Sequence, residues 1–149
     1  IKFFRGSLKN VASRLYETAK ANKAKFFVRI SGDSPLIDPK IIDKAIKISH
    51  KQRKYDIITN VFPRTFPKGQ SVEVIKTSIL KKYSKNFSKA DKEHVTKYFY
   101  KNSNKFRVKN FTFNDKSKIM NLSIDTKKDL EKILKKFSKK KFKKYSIKI

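Results

Sequence analysis

With 149 residues, 38% of them hydrophobic and 13% aromatic, the chain is long enough for one domain with a true core, and this composition excludes a disordered polypeptide. It has no cysteine, which excludes a disulfide framework and a thiolate zinc site, and no apolar run near the ~18 residues that a membrane span needs. The charge is extreme: 40 Lys+Arg stand against 12 Asp+Glu, for a net of +28.

Beginning with Ile1 and not Met, inside a strand-like IKFF, the chain reads as a piece whose N-terminal portion is missing. Phe3-Phe4 ends a short strand, and Arg5-Gly6-Ser7 turns the chain so that Ser7 caps a helix with Leu8, Val11, Leu15 and Ala19 on one face. The apolar run Phe26–Ile30 predicts a buried central strand that stops at Gly32 and puts Asp33 just past its end. Pro35 forbids further ladder, and Asp38 as N-cap with Pro39 at N1 opens a helix whose stripe is Ile41, Ile42, Ala45 and Ile46.

Tyr55–Thr59 alternates as a third strand, and the segment from Val61 to Gly69, with two prolines and a glycine, is a loop of the ordered, functional kind. Ser71–Ile75 predicts a short strand with Glu73 between two valines, followed by a helix at Thr77–Tyr83. Ser88 with Asp91 is capping-box grammar for one helix carrying His94, Val95, Tyr98 and Phe99. Phe106–Phe111 and Asn121–Ile124 predict two further strands, the second ending at Asp125. Thr126 with Asp129 repeats the capping grammar for a helix with the stripe Leu130, Ile133, Leu134 and Phe137. The boundaries implied are a domain over residues 1–137 and a Lys-rich, loosely attached tail over 138–149. Strands alternating with helices give an α/β layered fold with a mostly parallel sheet.

Two acids, Asp33 and Asp125, share one setting: an apolar strand, a carboxylate at its exit, then a helix start. Ligands of open α/β sheets bind at the carboxyl ends of strands. Two carboxylates at that edge suit a hard cation such as Mg²⁺, which takes one or two carboxylates and completes its shell with water and phosphate oxygens. Each acid also has a plain reading, Asp33 as the turn residue of Gly-Asp-Ser-Pro and Asp125 as part of a helix cap. His94 reads either as a base for a hydroxyl or as a packed core histidine, and His50 as surface. Glu73 reads as a hydrogen-bonding group and not a proton-transfer group. Arg29 is placed either to bind a ligand or to pair with a buried carboxylate.

The stretches FFRGSLKNVASRLYETAK, VRISGDSPLIDP, TNVFPRTFPKGQSVEVI, KEHVTKYF and LSIDTKKDLEKI, in that order, resemble the cytidylyltransferases that make CMP-activated sugars, closest to the spore-coat polysaccharide biosynthesis type. Acylneuraminate and 3-deoxy-manno-octulosonate cytidylyltransferases are more distant relatives. The resemblance implies a nucleotide-diphospho-sugar transferase-like α/β sandwich that lacks, in this chain, its N-terminal nucleotide-binding segment. It implies CTP and a sugar or sugar acid as substrates, Mg²⁺ as cofactor and transfer of CMP with release of pyrophosphate. By the same resemblance Asp33 and Asp125 are the catalytic metal aspartates, and Arg5, Gly6, Ser7 and Arg14 line the nucleotide side. Asn60, Glu73 and His94 face the acceptor, and Arg29 lies in the strand motif. A homodimer is compatible with the family and not shown by the sequence. Without the family's phosphate loop, the chain alone is expected to bind CTP weakly or not at all. Relatives also carry an acid where Ser71 stands.

The charge, read naively, means nucleic acid or an anionic membrane surface. Nearly all of the excess is Lys, spread over every face, with Arg only at 5, 14, 29, 53, 64 and 107, whereas base and phosphate recognition favour the Arg fork. It is read as solvated surface, so the alternatives to the main reading are a basic nucleic-acid-binding module and a catalytically inactive relative or fragment of the same fold. No signal peptide is visible, which makes a cytoplasmic enzyme the default.

Overall fold

The computed structural model describes residues 3–114 and 121–136. In chain order the elements are α1 (Val11–Ala21), β1 (Phe26–Arg29), α2 (Pro39–Lys51), β2 (Ile57–Thr59), β3 (Glu73–Lys76), α3 (Thr77–Tyr83), α4 (Lys89–Glu93), α5 (Lys97–Lys101), β4 (Val108–Asn110) and α6 (Lys127–Lys136), with short 3-10 turns at Ser84–Asn86 and Ser103–Lys105. The four strands form one sheet in the order β1-β3-β2-β4. β3 runs antiparallel to both β1 and β2, and β2 pairs parallel with β4. Three strands point the same way, but the reversed β3 inserts between β1 and β2, so two of the three ladders are antiparallel and the sheet is mixed, not the mostly parallel one that the strand–helix alternation predicts. β1 stands at an edge of this sheet and is half-buried throughout, not the buried central strand that its apolar run predicts.

Strand alternation assigns the two faces. Phe27, Ile75, Ile57 and Val108 share the face that packs with Ala12, Leu80, Val95 and Phe99 of α1, α3 and the α4–α5 region. Val28, Val74 and Ile58 share the other, against Ile41 and Ala45 of α2 together with Phe66, Val72 and Phe111. The result is a helix–sheet–helix sandwich. Each of Ile57, Ile58 and Ile75 is fully buried, which stabilises the fold by about 1.5–3 kcal/mol apiece.

Local chemistry set several boundaries as expected. Asp38 caps α2 by accepting from the Lys40 amide at 2.9 Å, with Pro39 in the first turn. Ser88 and Asp91 form a complete capping box, and Thr126 and Asp129 make the equivalent hydrogen bonds before α6. Elsewhere the structure corrects the sequence. Phe3 and Phe4 are exposed and outside any strand. α1 is capped by Asn10, whose Oδ1 accepts from the Ser13 amide at 3.0 Å. Ser7 acts one step earlier, on the Asn10 amide at 3.1 Å, which leaves Leu8 outside the helix and exposed.

The single helix expected after Ser88 is two helices, because the backbone leaves helical geometry at His94 (φ −99°, ψ 70°). That break lets Val95 and Phe99 enter the core while His94 stays at the surface. Asn121–Ile124 is no strand. Its amides go to two different segments, Leu122 to the Lys68 carbonyl and Ile124 to the Asp33 carbonyl, so no ladder builds. Of the α6 stripe only Ile133 is buried, with Leu130 and Leu134 exposed. Ile1, Lys2, Phe137 and the tail at 138–149 lie outside the described residues. Among the described residues no helix is long and apolar enough to cross a membrane.

Candidate active site

The carboxyl ends of β1, β2 and β4 and the amino end of β3 meet at one edge of the sheet. Arg29 lies opposite Glu73, Glu73 opposite Thr59, and Thr59 opposite Asn110. Directly opposed residues share a face, so these four form a polar row where the hydrophobic core stops. Glu73 is the centre of the row. It is only 2% exposed, yet carries one partner on each oxygen: Arg29 Nη1 at 2.6 Å on Oε2 and the Tyr100 hydroxyl at 2.5 Å on Oε1. A buried carboxylate is tolerated only when paired and hydrogen-bonded in this way.

Thr59 Oγ1 lies 3.0 Å from the same tyrosine oxygen. The one phenolic proton belongs to the carboxylate, which leaves the threonine to donate. Burial first, and then the adjacent Glu73 charge, push the Tyr100 phenol far above its ordinary value, so it stays a donor throughout the physiological range. Its ring stacks on Phe62 at 4.6 Å between centroids, which ties α5 to the Pro-rich loop.

Above this row lies a cavity of about 340 Å³, walled by Arg29 and Glu73 of the sheet, Arg64 and Ser71 of the loop region, and His94, Lys97 and Tyr100 of the α4–α5 region. Arg64 Nη1 donates to Ser71 Oγ at 3.0 Å. Arg29, Glu73 and His94, three residues singled out from the sequence, thus share one cavity. The core reading of His94 is overturned, because it sits exposed at the end of α4 with a route to the cavity.

The two acids form a second group at the same end of the molecule. Asp33 and Asp125 are both exposed, and the 2.8 Å bond from the Ile124 amide to the Asp33 carbonyl lays their segments side by side. Ser34 Oγ donates to Asp33 Oδ1 at 2.8 Å, and Ser123 Oγ lies 3.1 Å from Asp125 Oδ2. Among the described residues no hydrogen bond reaches Asp33 Oδ2 or Asp125 Oδ1. Among the described residues no set of three or more His, Cys, Asp or Glu converges on one point. Among the described residues a hard cation here would find these two carboxylates, which is the protein share that Mg²⁺ commonly has beside substrate phosphates.

What holds the acid pair beside the cavity is a buried polar hub that the sequence did not announce. Gln70, fully buried, accepts from the Asp38 amide at 2.9 Å and donates to the Leu36 carbonyl at 2.7 Å, pinning the turn that follows Asp33. Gly69, at φ +86°, presses on the other acid segment, where an added Cβ would lie 2.4 Å from the Leu122 carbonyl carbon. Only glycine meets both demands. Asn60, expected to face an acceptor, is instead fully buried. Its amide donates to the Gln70 carbonyl at 2.7 Å and its Oδ1 accepts from Val72 N at 2.9 Å, so it is a positioning residue.

Arg5, Gly6, Ser7 and Arg14 form a separate, largely exposed group. Arg14 Nη1 donates to the Ser7 carbonyl at 3.3 Å, and a Cβ on Gly6 would stand 3.0 Å from Arg14 Cγ. None of the four lines the cavity above Glu73.

A sequence model of the cytidylyltransferase family matches residues 1–149. The chain belongs to the cytidylyltransferase family. It is 37% identical over 109 residues to an uncharacterized protein of Methanocaldococcus jannaschii, covering 72% of this chain and 43% of that protein. It is 31% identical over 137 residues to the spore coat polysaccharide biosynthesis protein SpsF of Bacillus subtilis, covering 89% of this chain and 55% of that one. The solved structure of a cytidylyltransferase from Leptospira borgpetersenii superposes with a TM-score of 0.82 at 31% identity, over 93% of this chain and 60% of that chain. The structure of a CMP:2-keto-3-deoxy-manno-octonic acid synthetase complexed with CTP shares the fold alone, with a TM-score of 0.61 at 12% identity over 87% of this chain and 68% of that one. This cytidylyltransferase chain spans about half the length of the two protein relatives.

Arg64, Gly69, Gln70 and Tyr100 of the candidate site were not singled out from the sequence. Arg64 had a usable signal, an arginine within the Pro-rich loop. Gly69 had a weaker one, as the glycine closing that loop. Tyr100 and Gln70 had none, since their partners stand 27 and 32 positions away.

Proposed function

We infer that this chain supplies the metal side and the acceptor side of a CTP-dependent nucleotidyltransferase. The enzyme moves CMP onto a sugar or sugar acid, with release of pyrophosphate, in cytoplasmic synthesis of precursors for a cell-surface polysaccharide. The observation that carries this reading is the backbone bond from Ile124 to Asp33, which lays the segments bearing two exposed carboxylates side by side at the sheet edge that also bears the Arg29–Glu73–Tyr100 cavity. The family match and the name of the Bacillus relative support the reaction class and the polysaccharide setting.

Asp33 and Asp125 would hold Mg²⁺, which supplies neutralisation of phosphate charge and orientation of the triphosphate. In the reaction a sugar hydroxyl oxygen bonds to the α-phosphorus, the bond from that phosphorus to the bridging oxygen breaks, and pyrophosphate leaves. Such chemistry depends on positioning and electrostatic stabilisation more than on covalent participation by the protein. His94, exposed on the cavity wall, would take the hydroxyl proton. Arg29, Arg64 and Lys97 supply positive charge there, while Glu73, held by Arg29 and Tyr100, fixes the cavity floor.

The test is pyrophosphate release from CTP by the full-length product of the reading frame, with Mg²⁺ and a panel of sugars and sugar acids. Release that requires both the metal and one acceptor supports the reading and names the acceptor. Absence of CTP binding, together with tight DNA or RNA binding that falls steeply with salt, would overturn it in favour of a basic nucleic-acid module.

A further inference from the structure

At the opposite edge of the sheet, where β1 begins and α2 ends, lies a second cavity of about 320 Å³. It is lined by Lys25, Phe26, Ser49, His50 and Arg53. Phe26 and Arg29 are the two ends of β1, about 10 Å apart at the usual strand rise, so this cavity and the candidate active site open on opposite edges. We propose that it is a separate binding site for a small phosphorylated ligand with a planar or apolar body.

The first argument is charge. Among the described residues no carboxylate lines the cavity. Among the described residues, none of the ion pairs uses Lys25, His50 or Arg53. The acid at this edge, Asp56, is already spent: Oδ1 takes Lys76 Nζ at 3.1 Å, and Oδ2 takes the Arg107 amide at 3.0 Å. The other nearby acid, Asp43, lines a different depression on α2, among Lys40, Lys44, Lys47 and Lys51. The last carbonyls of α2 oppose an anion here, but a helix end carries only about half a negative charge against the two full positive charges of Lys25 and Arg53. The balance favours an anion.

The second argument is chemical type. A guanidinium fork, an ammonium and an imidazole line the cavity together, a donor set that suits the oxygens of a phosphoryl group better than the two of a single carboxylate. Phe26 adds an apolar wall, and its half-buried ring faces Lys76 Nζ at 5.9 Å on one side. Bare phosphate would leave that wall without contact, whereas a ring or short apolar body would cover it. The cavity volume, about 320 Å³, is at the lower end of the range for small-molecule sites. Lys25 and Arg53 are exposed, and among the described residues none of the ion pairs uses either, so their role can be tested without unfolding the protein.

The experiment is a calorimetric titration of the full chain with phenyl phosphate and, separately, with inorganic phosphate, paired with NMR observation of the His50 imidazole and the Phe26 ring. Phenyl phosphate should bind several-fold tighter than phosphate and shift both sets of resonances. A Lys25→Gln/Arg53→Gln variant should weaken it at least tenfold. A Lys89→Gln/Lys105→Gln control, with the same loss of net charge elsewhere on the surface, should stay within about twofold. Equal weakening in both variants, or shifts confined to His94 with His50 unmoved, would overturn the proposal.

Discussion

Tyr100→Phe removes one oxygen from the molecule, and its consequences follow from what that oxygen touches. The phenyl ring and its stack on Phe62 remain, so the packing contribution is retained. Lost is the 2.5 Å hydrogen bond to Glu73 Oε1, an acceptor on a residue only 2% exposed. Hydrogen bonds to charged groups contribute about 1.5–3 kcal/mol, and a buried charged acceptor left unpaired forfeits at least that much. Since Arg29 still neutralises the other oxygen at 2.6 Å, the expected loss is about 2 kcal/mol, or a fall of roughly 4–8 °C in Tm for a domain of this size.

Urea unfolding followed by circular dichroism measures it. In a Glu73→Gln background the same substitution should cost about half as much, because the acceptor is then neutral. The pH dependence is a second signature. The phenol holds its proton more firmly when folded than when unfolded. Its contribution is therefore fully present below pH 10, and it is lost above that value as the unfolded chain ionises first. The stability advantage of the native protein over Tyr100→Phe should shrink by up to about 1.4 kcal/mol per pH unit there. A loss under 0.5 kcal/mol, or equal losses in both backgrounds, would refute the role assigned to this hydroxyl.

Other substitutions address the remaining parts. Asp33→Asn and Asp125→Asn, at exposed positions, should each lower pyrophosphate release by orders of magnitude and leave the unfolding midpoint within about 1 °C; unchanged turnover would remove the metal assignment. Gly69→Ala, which must meet both a positive φ and a 2.4 Å approach to Leu122, should destabilise by roughly 2–4 kcal/mol and weaken Mg²⁺-dependent activity with it. For Asp56, burial raises the carboxyl pKa, but the hydrogen bonds and charge from Arg107 and Lys76 more than offset that and hold it below its ordinary 3.8. Asp56→Asn should thus cost about 1–2 kcal/mol at neutral pH. The difference from the native protein should fade as pH drops below 3.8, where the native carboxyl also takes up its proton.

Residues whose task is local were legible in the sequence. Asp38-Pro39 and Ser88 with Asp91 name helix starts because a cap needs only its neighbours within three positions. Asp33 could be placed past a strand end for the same reason. Asn121–Ile124 misled because polar–apolar alternation over four residues says that one side of a segment is enclosed, not that it pairs, and here its amides diverge to Lys68 and Asp33. The partners of Glu73 were hidden because the register of β1 against β3 brings in Arg29 from 44 positions away. His94 was misjudged because a continuous helix would have set it beside Val95 and Phe99, and the backbone breaks at that residue. Asn60 was recognised as important but given the wrong task, since an asparagine that grips backbone and one that grips a ligand look alike in sequence.

The hydrogen bond between Ile124 and Asp33 closes a loop of about ninety residues, and the one between Leu122 and Lys68 a loop of more than fifty. Closing such loops carries an entropic cost that grows with their length, and few buried contacts beyond Leu36, Leu122 and Ile133 accompany them. The two acids are therefore held together by the part of the molecule that assembles late and parts early. In native-state hydrogen exchange the Ile124 amide should open through a partial unfolding well below the global free energy, while the Ile57 and Ile75 amides follow the global transition. A ligand that bridges the acids would then act as the missing fastener, slowing exchange at Ile124 far more than in the sheet.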